Sequence, residues 1–101
     1  MTKPVLEAIT RQIAAEFSAS FSYLSMAAWC EHHKLMGAGS WLRLQSQEEH
    51  GHAMKLLNFL LARNQEVQVP GIEQPRSNFD SVVTVFEAAL AQVGESKADL
   101  V

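Results

Sequence analysis

The chain has 101 residues, 48% apolar and 19% charged, a balance that predicts one globular domain with a modest core. A net charge of −3 without a Lys/Arg cluster argues against nucleic acid as a partner. No apolar run reaches the roughly 18 residues that a membrane span needs. The Met1-Thr2-Lys3-Pro4 start lacks a signal-peptide apolar region, and a lone Cys30 has no internal disulfide partner, so a cytoplasmic setting is expected.

The first helix is predicted from about residue 4 to about residue 34, with Thr2 as N-cap and Pro4 in the first turn. Ile9, Ile13, Phe17, Phe21, Leu24 and Ala28 recur every three or four residues. Ile9, Ile13, Glu16, Ser20, Tyr23 and Ala27 make a second, adjacent stripe. So wide an apolar face suits a helix that touches two neighbours in a bundle. Glu16 is a carboxylate on the inner stripe, and Tyr23 lies two turns further on. Read from spacing alone, Tyr23 is as well explained as a core aromatic as by a chemical role. His32, His33 and Lys34 close the helix, where positive groups suit its dipole.

Met36-Gly37-Ala38-Gly39-Ser40 reads as a short turn, which makes the next helix antiparallel to the first. That second helix is predicted over about 39–64, ending near Asn64. Leu42, Gln45, Glu49, His52, Leu56 and Leu60 share one stripe. Glu49 and His52, three apart, therefore interrupt a face that should be buried. An unpaired carboxylate in an apolar core costs several kcal/mol, and Glu-x-x-His facing into a bundle meets that cost by holding a metal. Counted from a turn near residue 37, Glu16 and Glu49 are not level, so spacing alone does not bring them together.

Residues of about 65–78, with Pro70, Gly71 and Pro75, predict a loop long enough to travel back along a bundle. A third amphipathic helix is predicted over about 79–93 from Val82, Val85, Phe86, Ala89, Leu90 and Val93, with an N-cap among Asn78–Ser81. Gly94 is expected to end it and 94–101 to form a loose tail. Its Glu87 falls off the apolar stripe.

Glu16…Tyr23, Ala28-Trp29-Cys30, Trp41-Leu42 and Gln47-Glu48-Glu49-x-x-His52, followed by the Pro75 loop and the Asn78-to-Phe86 helix start, resemble the first half of bacterial non-haem ferritins. The resemblance runs from about residue 4 to about residue 90 and implies an all-α, ferritin-like helical hairpin with a short third helix. It also implies a ferroxidase that stores iron, oxidising Fe(II) with O2 or H2O2 at a di-iron centre. By position, Glu16, Glu49 and His52 would bind iron, Glu49 would bridge two irons, and Tyr23 would be the tyrosine beside them. Glu48 matches a neighbouring glutamate with no assigned ligand role.

The family's third-helix glutamate falls at Val93, and its fourth helix has no counterpart here, so one copy holds at most half a site. Two copies related by a two-fold axis would complete a four-helix bundle with four carboxylates and two histidines. Encapsulated ferritins are similar in building their site between two short chains. A homodimer or larger homo-oligomer is therefore expected. Two other readings stay open: a non-catalytic truncated subunit that co-assembles with a partner, and a single-metal, zinc-type site on the same three residues.

Overall fold

The computed structural model describes residues 1–100, and their side chains through Val93. Three helices follow in order: α1 over Lys3–His32, α2 over Met36–Ala62 and α3 over Val82–Leu100. The fold is all-α. Helix α1 has 30 residues, and α2 folds back along it to give a rod of 47 × 20 × 20 Å. Among the described residues no helix is long and apolar enough to cross a membrane.

Helix α1 begins as its sequence dictates. The Thr2 side chain accepts from the Val5 N–H at 3.4 Å, and Pro4 sits in the first turn, where no backbone donor is needed. The inner stripe is the buried one: Ile13, Glu16, Ser20, Tyr23 and Ala27 are buried, whereas Phe21, Leu24 and Ala28 of the other stripe are exposed.

The reversal between α1 and α2 differs from the expected one. It lies at residues 33–35, and Met36–Ser40 is already helix. Lys34 adopts the left-handed conformation at φ 65°. The Leu35 N–H then bonds to the Cys30 carbonyl at 2.8 Å, and the Lys34 N–H to the Glu31 carbonyl at 3.1 Å. These two bonds satisfy carbonyls that the end of α1 would leave open. The glycines read as turn residues are used for close packing instead. A Cβ on Gly39 would lie 2.6 Å from Glu31 Cγ, so any larger residue would force the Glu31 side chain to shift for α2 to start this near α1.

Moving the turn corrects the register. Glu16 lies sixteen residues before the end of α1, and Glu49 thirteen after the start of α2, which leaves them nearly level. A buried polar pair holds that register. Ser20 Oγ donates to the Ser46 carbonyl at 2.8 Å, and Ser46 Oγ donates to the Ser20 carbonyl at 2.7 Å. The hydroxyls are thus satisfied away from water, and a slip of either helix would strand both.

Helix α2 ends with Asn64 at φ 58°, its N–H bonded to the Leu61 carbonyl and that of Gln65 to the Leu60 carbonyl, both at 3.0 Å. Asn is among the few residues that reach this conformation cheaply. The chain then runs without helix to Ser81, whose Oγ accepts from the Thr84 N–H at 3.3 Å and caps α3. Helix α3 therefore starts three residues later than expected. Phe79 is held out of it, buried edge-on to Trp29 with ring centroids 6.2 Å apart.

Tyr23, Met26, Ala27, Cys30, Leu42, Phe79, Val85 and Ala89 form one core where α3 lies across the hairpin. The bounds of α3 pass Gly94, which costs a helix about 1 kcal/mol relative to Ala and does not compel an end. The side chains of the expected tail, 94–101, lie outside the described residues.

Candidate metal centre

Glu16, Glu49 and His52 come together beyond the Ser20–Ser46 pair, on the side away from the turn. Helix α1 supplies Glu16 from its buried stripe; α2 supplies Glu49 and His52 from adjacent turns of one face. Each offers one donor atom, and these atoms all lie within 4.8 Å of one another. His52 Nδ1 is 3.6 Å from Glu16 Oε2 and 3.8 Å from Glu49 Oε2. Those distances are too long for hydrogen bonds and leave space between the three donors.

The two carboxylates are buried without being satisfied. The Glu16 side chain is 3% exposed and that of Glu49 13%, and Oε2 of each has no hydrogen-bond partner among the described residues. A buried, unpaired carboxylate oxygen carries a large desolvation cost, which a cation or a proton removes. In the metal-free chain that pressure acts on Glu49. Burial, a hydrogen bond that its protonated form makes to Glu16, and the charges of Glu16 and Glu48 push its pKa up to about 8. The donor set passes the chemical test for a metal: oxygen donors and one imidazole suit iron or manganese better than a thiolate-selecting metal.

The imidazole of His52 is 50% exposed, so the centre is closed on the helix side and open on the other. Tyr23 stands two turns along α1, almost fully buried in the core under α3. Burial, then the charges of Glu49 and Glu48, raise its pKa, so the phenol keeps its proton. Glu48 itself is exposed, as is Glu87 on α3. Val93, at the position where the resemblance expects a third-helix carboxylate, packs against the apolar core.

One residue at the centre escaped the sequence reading. Gln12 Nε2 donates to Glu16 Oε1 at 3.0 Å. The available signal was an amide one helical turn before a carboxylate on a buried stripe.

Residues 6–98 match the family model for ferritin, described as a ferritin-like domain. This chain belongs to the ferritin family. It is 38% identical over 87 residues to a bacterial non-heme ferritin of Campylobacter jejuni, covering 86% of this chain and 52% of that protein. A bacterial non-heme ferritin of Staphylococcus saprophyticus is 30% identical over 92 residues, covering 91% of this chain and 55% of that one. Among solved structures, an engineered closed form of the Archaeoglobus fulgidus ferritin superposes with a TM-score of 0.91 at 34% identity, covering 98% of this chain and 60% of that one. A humanized archaeal ferritin gives 0.92 at 32% identity, with the same two coverages. The ferritin half seen here spans a little over half the length of the curated relatives it matches.

Proposed function

We propose that this ferritin-family chain binds Fe(II) as its substrate and oxidises it to Fe(III) at a di-iron site shared between two copies. The observation that carries this reading is the pair of buried, unpartnered carboxylate oxygens, Glu16 Oε2 and Glu49 Oε2, converging on the His52 imidazole. The open side at His52 and the apolar Val93 support a second copy as the source of the remaining donors. A two-fold axis would bring Glu16, Glu49 and His52 from each chain into one bundle.

Each residue then has a distinct task. Glu16 and His52 would hold one iron, and Glu49 would be the carboxylate shared with the second. Carboxylate charge favours the ferric over the ferrous state and so lowers the potential of iron held there. One electron leaves each Fe(II), and two irons together supply the pair that reduces O2 to hydrogen peroxide, with two protons, or H2O2 to water. Tyr23, which the resemblance makes the tyrosine near the irons, lies two turns from Glu16 in the core under α3 and would act from there as a neutral phenol. Removal of iron as ferric mineral, for storage or detoxification, would follow in a larger assembly.

A second reading has one observation in its favour. Val93 stands where the family places a carboxylate, which suits a non-catalytic subunit that needs a different partner. Solution mass with and without Fe(II) in air, with ferric absorbance followed in the same sample, separates the two. The shared site predicts a dimer or larger species that oxidises two Fe(II) per pair of chains, with loss of oxidation in Glu49→Ala. A monomer that oxidises Fe(II) no faster than buffer, or a Glu49→Ala chain as fast as wild type, overturns it.

A further inference from the structure

Glu16 has two carboxylate oxygens in different surroundings. Oε1 accepts a hydrogen bond from Gln12 Nε2 at 3.0 Å; Oε2 has no partner among the described residues and lies 3.6 Å from His52 Nδ1. Residues four apart share a helix face, so Gln12 stands directly behind Glu16 on α1. Its amide orientation follows from chemistry: an ionised carboxylate only accepts, so Gln12 must present its NH2 group. A groove lined by Ala8, Arg11, Gln12 and Ala15 runs beside it along α1. Arg11 is exposed and makes no ion pair with Glu16 among the described residues, so the neutral amide is the donor that Glu16 receives.

We propose that Gln12 is a positioning residue that ties down Glu16 Oε1 and thereby dedicates Oε2 to metal. This rests on the metal-centre reading above. The division of labour has three consequences. It makes Glu16 a ligand through one oxygen rather than two. It fixes the carboxylate plane before metal arrives, so less side-chain freedom is lost on binding. And it supplies a hydrogen bond without a positive charge, which would otherwise compete with the cation for the same carboxylate. A Lys or Arg at this position would satisfy Glu16 and disable it; an apolar residue would leave it free to rotate and chelate through both oxygens.

The test uses Co(II), which air does not oxidise under these conditions and whose visible spectrum reports its ligands. Co(II) affinity is measured by titration on the purified chain, and the separation of the carboxylate infrared stretches reports one-oxygen or two-oxygen ligation. Gln12→Leu keeps the shape and removes the donor; Gln12→Ala favours the helix and guards against a folding artefact. Both are expected to weaken Co(II) binding about tenfold, the usual cost of losing such a supporting hydrogen bond. Both should also shift the infrared separation towards two-oxygen ligation, with thermal unfolding little changed. A purely structural Gln12 would leave the infrared separation where it is. Glu49→Gln serves as the control. If wild type binds Co(II) and Glu49→Gln does not, yet the Gln12 variants match wild type in affinity and infrared pattern, this inference is wrong and the metal centre stands. If wild type itself binds no Co(II), both fail together.

Discussion

The Ser20–Ser46 pair divides the hairpin into two halves built on the same helices but finished differently. Towards the turn, Tyr23, Met26, Ala27, Cys30 and Leu42 are covered by Phe79, Val85 and Ala89, and that core is apolar throughout. Away from the turn, Ile13, Ala53 and Leu60 are buried between α1 and α2, but Val5, Met54, Phe59 and Leu61 are exposed and the carboxylates of Glu16 and Glu49 go unsatisfied. The first half has what a folded core requires. The second carries unmet electrostatic cost, whereas exposed apolar side chains occur in both halves, Phe21, Leu24, Trp41 and Leu44 among them towards the turn. The lesson is that the apolar core and the candidate metal centre are drawn from different ends of one hairpin. Substitutions in the two halves should therefore move stability in opposite directions.

The largest effect on stability belongs to the sealed half. Leu42→Ala removes a fully buried side chain from the meeting point of α1, α2 and α3. Loss of transfer energy plus a cavity is expected to cost about 3 kcal/mol, read from urea unfolding. Metal affinity of the fraction still folded should be unchanged. A loss below about 1 kcal/mol would mean that the sealed half is not the source of stability.

Glu49→Gln should do the reverse. It removes the carboxylate that ligation needs, so metal binding fails, yet the metal-free chain gains stability at alkaline pH. The sign follows from proton binding. Glu49 has a raised folded pKa of about 8 against 4.5 for the ordinary group. Between these values the folded state holds a proton that the unfolded state has released, so stability falls as pH rises across that window. Wild type and Glu49→Gln should respond alike to acid below the window, and the variant should pull ahead towards pH 9. Parallel pH profiles for the two chains would show that the Glu49 carboxyl is not under this strain.

Much of this contrast is legible in the residues. Periodicity identifies three helices, places Glu16 on a buried stripe and puts Glu49 and His52 on one face of α2, because a 3.6-residue repeat states which side chains share a face; that face is expected to be buried, but at His52 it is half exposed. The reversal is not legible. Gly37 and Gly39 resemble turn residues, but α2 uses Gly39 to approach Glu31 and Ala27, and the turn itself falls on Lys34, whose side chain gives no sign of it. That shift hides the register, and with it the meeting of Glu16 and Glu49. The Ser20–Ser46 and Gln12–Glu16 bonds are likewise invisible until register is known, since a polar residue on an apolar stripe announces a need for a partner without naming it. Asn64 is the counter-example: its tolerance of the left-handed conformation marks the end of α2 correctly.

The smallest effect compares the two helix ends. Lys34 and Asn64 occupy the same left-handed conformation and make the same pair of closing bonds. A non-glycine residue there costs about 1–2 kcal/mol, less for Asn, whose short side chain bonds locally. Glycine removes that strain but adds about 0.4–1 kcal/mol of freedom to the unfolded chain. Lys34 also carries a positive charge near the C-terminus of α1, where it gains a few tenths of a kcal/mol that glycine would forfeit. The balance predicts that Lys34→Gly stabilises by about 0.5 kcal/mol and Asn64→Gly by less or not at all. Both are measurable as shifts in urea midpoint at constant slope. If Asn64→Gly gained more than Lys34→Gly, the strain would sit at the open end of the hairpin instead of at its turn, and the turn would be the better-fitted of the two.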